Sequence, residues 1–141
     1  MVKNMEIRIM TIKDFNEMYA LWNEAGLQLA DYEIEKKQTE FMIKLNPASN
    51  FVAIEQGKII GTVFGLFNGY RGWIYHLAII PFFQKKGIGS LLLNKTERAL
   101  KEIGAKRVML GVDKSNIRIL PFYSKSNYQE ITSAIYLRKD L

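Results

Sequence analysis

Apolar and polar residues change period several times along the chain, and each change marks an element. "EIRIM" (6–10) alternates with period two and predicts a strand. "TIKDFNEMYALWNEA" (11–25) then sets Ile12, Phe15, Met18, Tyr19 and Trp22 at helical spacing, and Gly26 ends the run. "DYEIEKKQTEFMIKL" (31–45) is a weaker second helix, closed by "NPASN". "FVAIEQGKIIGTVFGLF" (51–67) reads as two strands about a Gln56–Gly57 turn, and "NGYRG" turns the chain into a third, "WIYHLAII" (73–80). A helix from Gly87 to about Ile103 carries Ile88, Leu91, Leu92, Ala99, Leu100 and Ile103 on one face and stops at Gly104. "KRVMLGV" (106–112) is the next strand, followed by a short helix around "ILPFYSKS" and a last strand or hairpin, "YQEITSAIYLRK" (128–139). Strands and helices in this order predict a mixed α/β layer fold.

No repeat, low-complexity tract or Pro/Gly/Ser-rich linker interrupts the pattern, so residues 1–141 are expected to form one domain. A chain of this length buries roughly 68–70% of its unfolded surface, enough for a core without covalent support. Cysteine is absent, which removes disulfides, thiolate nucleophiles and cysteine-based zinc sites. No run approaches the roughly 18 apolar residues of a membrane span, and "MVKNMEIRIM" lacks the apolar core and cleavage site of a signal peptide. The expected location is the cytoplasm, with no membrane partner.

Charge is distributed unevenly. Residues 1–83 hold 8 Lys+Arg against 9 Asp+Glu, and residues 84–141 hold 12 against 5, so the two parts carry −1 and +7. A one-sided positive charge suits an anionic partner: nucleic acid, a membrane surface or a phosphorylated small molecule.

"PFFQKKGIGSLLL" (81–93) narrows that choice. A strand running through "QKKGIG" into a helix gathers backbone N–H groups and the positive end of the helix dipole at one point, a ready site for phosphate. The sequence contains no G-x-x-x-x-G-K-[ST] loop, and its G-x-G pair lacks the strand-turn spacing and ribose-binding acid of a dinucleotide fold. Kinase and dehydrogenase chemistry are thereby disfavoured. A G-x-G at a helix entrance is by itself a weak signal.

Two longer stretches add to it. "LAIIPFFQKKGIGSLLL" resembles motif A of the GCN5-related N-acetyltransferases (GNAT), small single-domain bacterial and archaeal members included, and "NIRILPFYSKSNY" is similar to the family's second motif. The resemblance implies an acyl-CoA N-acyltransferase fold with about four helices and a central, mostly antiparallel sheet, splayed between its fourth and fifth strands. It implies acetyl-CoA as cosubstrate, with no metal. The backbone of Leu77, Ala78 and Ile79 would pair with the pantetheine arm like an added strand. Gln84, Lys85, Lys86, Gly87, Ile88, Gly89 and Ser90 would surround the pyrophosphate. Asn116 would bond the pantetheine, alongside or instead of a plain helix-capping role. Tyr123 would face the cofactor sulfur, where a phenol of ordinary pKa about 10 is protonated at neutral pH and can donate to a departing thiolate. On spacing alone, Tyr123 is a core aromatic beside Phe122.

Several positions depart from the family pattern. The helix-ending glycine and following phenylalanine are Asn127 and Tyr128, and Asn tolerates the left-handed conformation well enough to keep the stop. The position where some relatives carry a glutamate as proton acceptor falls on Gly111, and those where others place Glu or His fall on Trp73 and Tyr75. His76, the sole histidine, is turned by strict alternation to the face opposite Trp73, Tyr75 and Leu77, which favours a structural role. At pH 7.4, freeing a lysine of pKa about 10.4 from its proton costs roughly 4 kcal/mol, against about 0.5 for an α-amine near 7.8. A site without a strong base would therefore suit low-pKa amines that attack neutral and lose their proton through water.

The acceptor is expected near "GLQLADYEIE" and "NGYRG", where Asp31, Glu33 and Glu35 either attract a cation or simply cap and solvate the second helix. The leading expectation is transfer of acetyl to a primary amine of a small molecule, peptide or protein, in a ternary complex. The alternatives are a non-catalytic acyl-CoA-binding or regulatory module and, least supported, a nucleic-acid binder. A homodimer is compatible with the sequence.

Overall fold

The sheet is organised by a tight hairpin. Strands β2 (Phe51–Glu55) and β3 (Lys58–Phe67) meet at Gln56 and Gly57, whose φ angles of 49° and 76° are both left-handed. Two such residues match the right-handed twist of the flanking strands, and Glu55 faces Lys58 across the turn. In the computed structural model, which describes residues 4–141, β1 (Met5–Ile9) pairs with the outer edge of β2. On the other side β4 (Gly72–Ile79) runs antiparallel to β3, and β5 (Val108–Leu110) runs parallel to β4. The order is β1-β2-β3-β4-β5, a mixed sheet of the expected class.

Helices cover this sheet. α1 (Phe15–Glu24), entered through a 3₁₀ turn at Ile12–Asp14, buries Phe15, Met18, Leu21 and Trp22. With Met10, Val52, Ile59, Phe64, Ala78 and Ile80 they make one core cluster, and full burial of each large apolar side chain contributes roughly 1.5–3 kcal/mol. α2 (Tyr32–Leu45) starts on Asp31, whose carboxylate accepts the Ile34 N–H at 3.1 Å. Its end is stitched to β3 by buried polar side chains. Asn50 Oδ1 accepts the Gly65 N–H at 3.0 Å, and Asn46 Oδ1 accepts the Phe67 N–H at 2.9 Å.

α3 (Ile88–Glu102) buries Ile88, Leu92, Leu93, Thr96 and Leu100. Leu91 and Ile103, expected on its apolar face, are exposed, and the inward place goes to Thr96 instead. The Thr96 hydroxyl donates to the Ser49 carbonyl at 2.5 Å, so a polar residue can sit in the core with its hydrogen bond made.

A first compact unit ends at Leu110 and a second comprises Gly111–Leu141. In the second, a 3₁₀ turn at Lys114–Ile119 leads into α4 (Leu120–Lys125). The strand or hairpin expected over 128–139 does not form. Ile131, Ile135, Tyr136 and Leu137 are exposed, so neither face of its alternation is buried. An alternating pattern becomes a strand only where a neighbouring edge takes up its backbone groups.

Candidate active site

β4 is where the sheet changes from antiparallel to parallel, and its two neighbours fit it unequally. β3 accompanies it from Gly72 to Ile79, whereas β5 pairs only with Gly72, Trp73 and Ile74. The Ile80 N–H donates to the Ile60 carbonyl at 2.9 Å. By alternation Ile79 and Leu77 then turn their N–H and C=O groups away from β3, while buried Ala78 turns its own toward it. No strand of this sheet takes up the outward groups of Leu77 and Ile79. An extended ligand can add there as a strand.

That edge leads into the turn before α3. After a 3₁₀ turn at Pro81–Phe83, the Gln84 side-chain amide donates back to the Ile79 carbonyl at 3.0 Å. Lys85 (φ 62°) and Gly87 (φ 85°) are left-handed, which brings the backbone round into the helix. The Lys86 ammonium sits over the rings of Phe82 and Phe83, 4.7 and 5.3 Å from their centroids. Gly87 is the N-cap of α3 and supplies no capping acceptor, so the N–H groups of Ile88, Gly89 and Ser90 are left for an outside partner. A Cβ at Gly87 would meet no atom within 4 Å, so the turn is open on that side of Gly87. Ile88 is buried through its side chain, leaving its N–H as the group it can offer. Uncapped N–H groups, the helix dipole and two exposed lysines are groups that can hold a phosphate or pyrophosphate.

β4 also carries a bulge that strict alternation does not foresee. Thr62 pairs with Ala78 and Phe64 with Tyr75, so His76 and Leu77 together face one residue, Val63. His76 absorbs the irregularity with φ 48°. Its ring packs on Trp22 at 4.6 Å and on Phe64 at 5.2 Å between centroids. Phe64 and its cross-strand partner Tyr75 share a face, so His76 lies on the Tyr75 side and not opposite it. His76 Nε2 is 3.1 Å from Glu35 Oε1, and Glu35 Oε2 accepts the Ala30 N–H at 3.1 Å. The backbone is held as well: Trp22 Nε1–H donates to Thr62 Oγ1, which donates to the His76 carbonyl, both at 2.8 Å.

The acids at the start of α2 thus divide. Asp31 caps the helix, Glu33 is exposed, and Glu35 is buried against His76. The charge pattern alone could not separate them, because all three stand near one helix N-terminus. Trp73 and Tyr75 stack nearly parallel, 6.4 Å between centroids, and burial pushes the Tyr75 phenol above its ordinary value.

In the second unit Asp113, not Asn116, caps the 3₁₀ turn: its carboxylate accepts the Ser115 N–H at 2.8 Å. Asn116 is exposed with a non-helical backbone (φ −116°), its N–H bonded to the Asp113 carbonyl at 2.8 Å. Gly111 is exposed and offers no side chain. Tyr123 is half-buried on α4, edge-on to Phe122 and Tyr128, with ring centroids at 5.0 and 5.8 Å. Burial raises its pKa, so the phenol keeps its proton at neutral pH. Asn127 ends α4 in the left-handed conformation (φ 69°), with its N–H on the Ser124 carbonyl at 3.0 Å and the Tyr128 N–H on the Tyr123 carbonyl at 2.9 Å. This double bond pattern is the Schellman stop, formed here with Asn in the glycine position.

Similar architectures occur among solved proteins. Ard1 from Thermoplasma volcanium superposes with a TM-score of 0.76 at 21% identity, covering 86% of this chain and 80% of that one. AAC(6')-Iy, solved with a CoA-S-monomethyl-acetylneamine bisubstrate analog, gives 0.80 at 17% identity over 99% of this chain and 100% of its own. Glucosamine-6-phosphate N-acetyltransferase from Arabidopsis thaliana gives 0.71 at 18% identity, over 98% and 100%. At such identities these likenesses establish the fold. The model of the Acetyltransferase (GNAT) family matches residues 12–128, most of the sequence and both motif-bearing segments, and the chain belongs to that family.

Proposed function

We propose that the protein transfers the acetyl group of acetyl-CoA to a primary amine by direct attack in a ternary complex. The observation that carries this reading is the edge of β4 at Leu77 and Ile79 that no strand pairs with, where Gln84 takes only the Ile79 carbonyl, continuous with the uncapped N-terminus of α3. A pantetheine arm pairing with that edge leads its pyrophosphate to the N–H groups of Ile88, Gly89 and Ser90, with Lys85 and Lys86 adding charge. Gln84 holds the edge and the turn together through the Ile79 carbonyl. Asn116 is proposed to bond the pantetheine.

In the reaction, the amine nitrogen attacks the thioester carbonyl carbon, and the Leu77 N–H is the proposed donor to the developing oxyanion. Tyr123, protonated at neutral pH, is proposed to donate to the departing thiolate. The family and its acetyl-transferring relatives support acetyl transfer in general.

The test measures CoA thiol release from acetyl-CoA with a panel of amines: a peptide with a free N-terminus, Nα-acetyl-lysine amide, and spermidine. Saturable turnover that falls roughly 10²-fold or more in Tyr123→Phe, at unchanged acetyl-CoA affinity, is the expected result. Acetyl-CoA binding without turnover of any amine would instead indicate a non-catalytic acyl-CoA module.

A further inference from the structure

The pair His76–Glu35 joins a strained strand residue to a buried carboxylate 41 positions away in sequence. A left-handed conformation costs a non-glycine residue about 1–2 kcal/mol, and it persists where surrounding structure holds it. Here the backbone is held by Thr62 and the ring by Glu35, Trp22 and Phe64. The Glu35 side chain is 7% exposed and that of His76 26%, so the carboxylate is withdrawn from water and the imidazole is not. Donation from Nε2–H to Glu35 leaves Nδ1 with a free lone pair, and no hydrogen bond occupies it among the described residues. Around the ring, α2 supplies Glu35, α1 the indole of Trp22 and β3 the Phe64 ring, while Thr62 holds the His76 carbonyl. Glu35 is the charged group bonded to it. His76 immediately precedes Leu77, the proposed oxyanion donor.

From this juxtaposition we infer that His76 accepts the proton of the acceptor ammonium through Nδ1, with Glu35 as the positioning residue that holds Nε2–H. The inference rests on the acetyl-transfer reading above. The lone pair of Nδ1 takes one proton from the ammonium, leaving a neutral amine and an imidazolium facing the Glu35 carboxylate. The amine lone pair forms the N–C bond to the thioester carbon while the C=O π pair moves to oxygen. On collapse C=O reforms, the C–S bond breaks, and the sulfur leaves with the bonding pair. The thiolate gains one proton as the amide nitrogen gives one up, so the net proton released is the one held on His76, which passes to water. A histidine–carboxylate pair of this kind extends the acceptor range to amines that are cationic at neutral pH.

The experiment measures kcat/KM against pH for the best amine of the panel at saturating acetyl-CoA, in wild type, His76→Asn and Glu35→Gln. Asn tolerates the left-handed backbone and offers no base at this pH. Because His76 is the sole histidine, its imidazole C–H signals in the NMR spectrum of the acetyl-CoA complex need no assignment. The expected result is a loss of roughly 10²–10⁴-fold in kcat/KM for His76→Asn, with acetyl-CoA affinity retained. The acid limb that coincides with the imidazole titration disappears with it, and Glu35→Gln gives a smaller loss. Retention of kcat/KM and of that limb in His76→Asn overturns the inference while leaving acetyl transfer intact. Should the variant not fold, wild type decides alone: a kinetic midpoint that differs from the NMR midpoint overturns it. Absence of any amine turnover by wild type removes the acetyl-transfer reading itself, and this inference with it.

Discussion

Gly65 on β3 lies directly beneath Thr96 on α3: a Cβ at position 65 would collide with the Thr96 hydroxyl and come within 2.7 Å of the Ser49 carbonyl. The helix whose N-terminus forms the proposed phosphate site therefore rests on bare backbone. Gly65→Ala should destabilise the protein by about 1–3 kcal/mol, because backbone and a bonded hydroxyl cannot yield as a flexible side chain would. A lowered urea midpoint at unchanged m would show it, and an unchanged midpoint would mean that α3 can lift from the sheet at little cost.

The Arg8 guanidinium makes two hydrogen bonds to Asp14, at 2.8 and 2.9 Å, and the Thr11 N–H adds a third at 2.9 Å. Burial alone would raise the Asp14 pKa, but the Arg8 and Thr11 bonds outweigh it and hold the carboxyl below its ordinary value. A depressed carboxyl stabilises fully above its unfolded pKa, about 3.9, and loses that contribution as pH falls through the folded value. Asp14→Asn should cost about 1–2 kcal/mol at pH 7, kept modest by the 40% exposure of Arg8, and the difference from wild type should shrink below about pH 4. Urea unfolding at several pH values measures both. A difference that grew on acidification would contradict the assignment.

Gly89→Glu places an anion where the pyrophosphate is proposed to sit. A carboxylate in a first helical turn is favourable by roughly 0.3–1 kcal/mol, so the fold should be undisturbed. Calorimetry should show acetyl-CoA affinity reduced by roughly 100-fold or more at an unchanged melting temperature. Retained affinity would move the phosphate site elsewhere.

At the end of α4, Asn127 holds the left-handed position of the Schellman stop. Asn127→Ala should weaken that stop by about 1 kcal/mol, and Asn127→Gly should be neutral or better. Exchange of the Tyr128 amide, bonded to the Tyr123 carbonyl at 2.9 Å, reports it locally. Equal exchange in all three proteins would show that the stop does not depend on residue 127.

The sequence by itself determined what local chemistry settles. Periodicity placed four helices and five of the six strands it called for, because a face that must be buried repeats at 3.6 or 2 residues whatever the partner. Gln56–Gly57 announced a turn and Asn127 a left-handed helix stop, because few residues tolerate that backbone, and the structure gives all three positive φ. "QKKGIG" announced a helix entrance whose first N–H groups lack a capping side chain, which is where the phosphate site is proposed. Tertiary structure decided what depends on a partner. Thr96 is buried and Leu91 exposed because Ser49 offers a carbonyl on one side of α3, and residues 128–139 stay without a strand because alternation does not supply an edge. The position of His76 is the sharpest case. Period-two alternation sets it opposite Tyr75, but one extra residue in β4 and a positive φ bring its ring to Glu35, and no local pattern encodes a bulge whose cost is met by contacts from two distant helices.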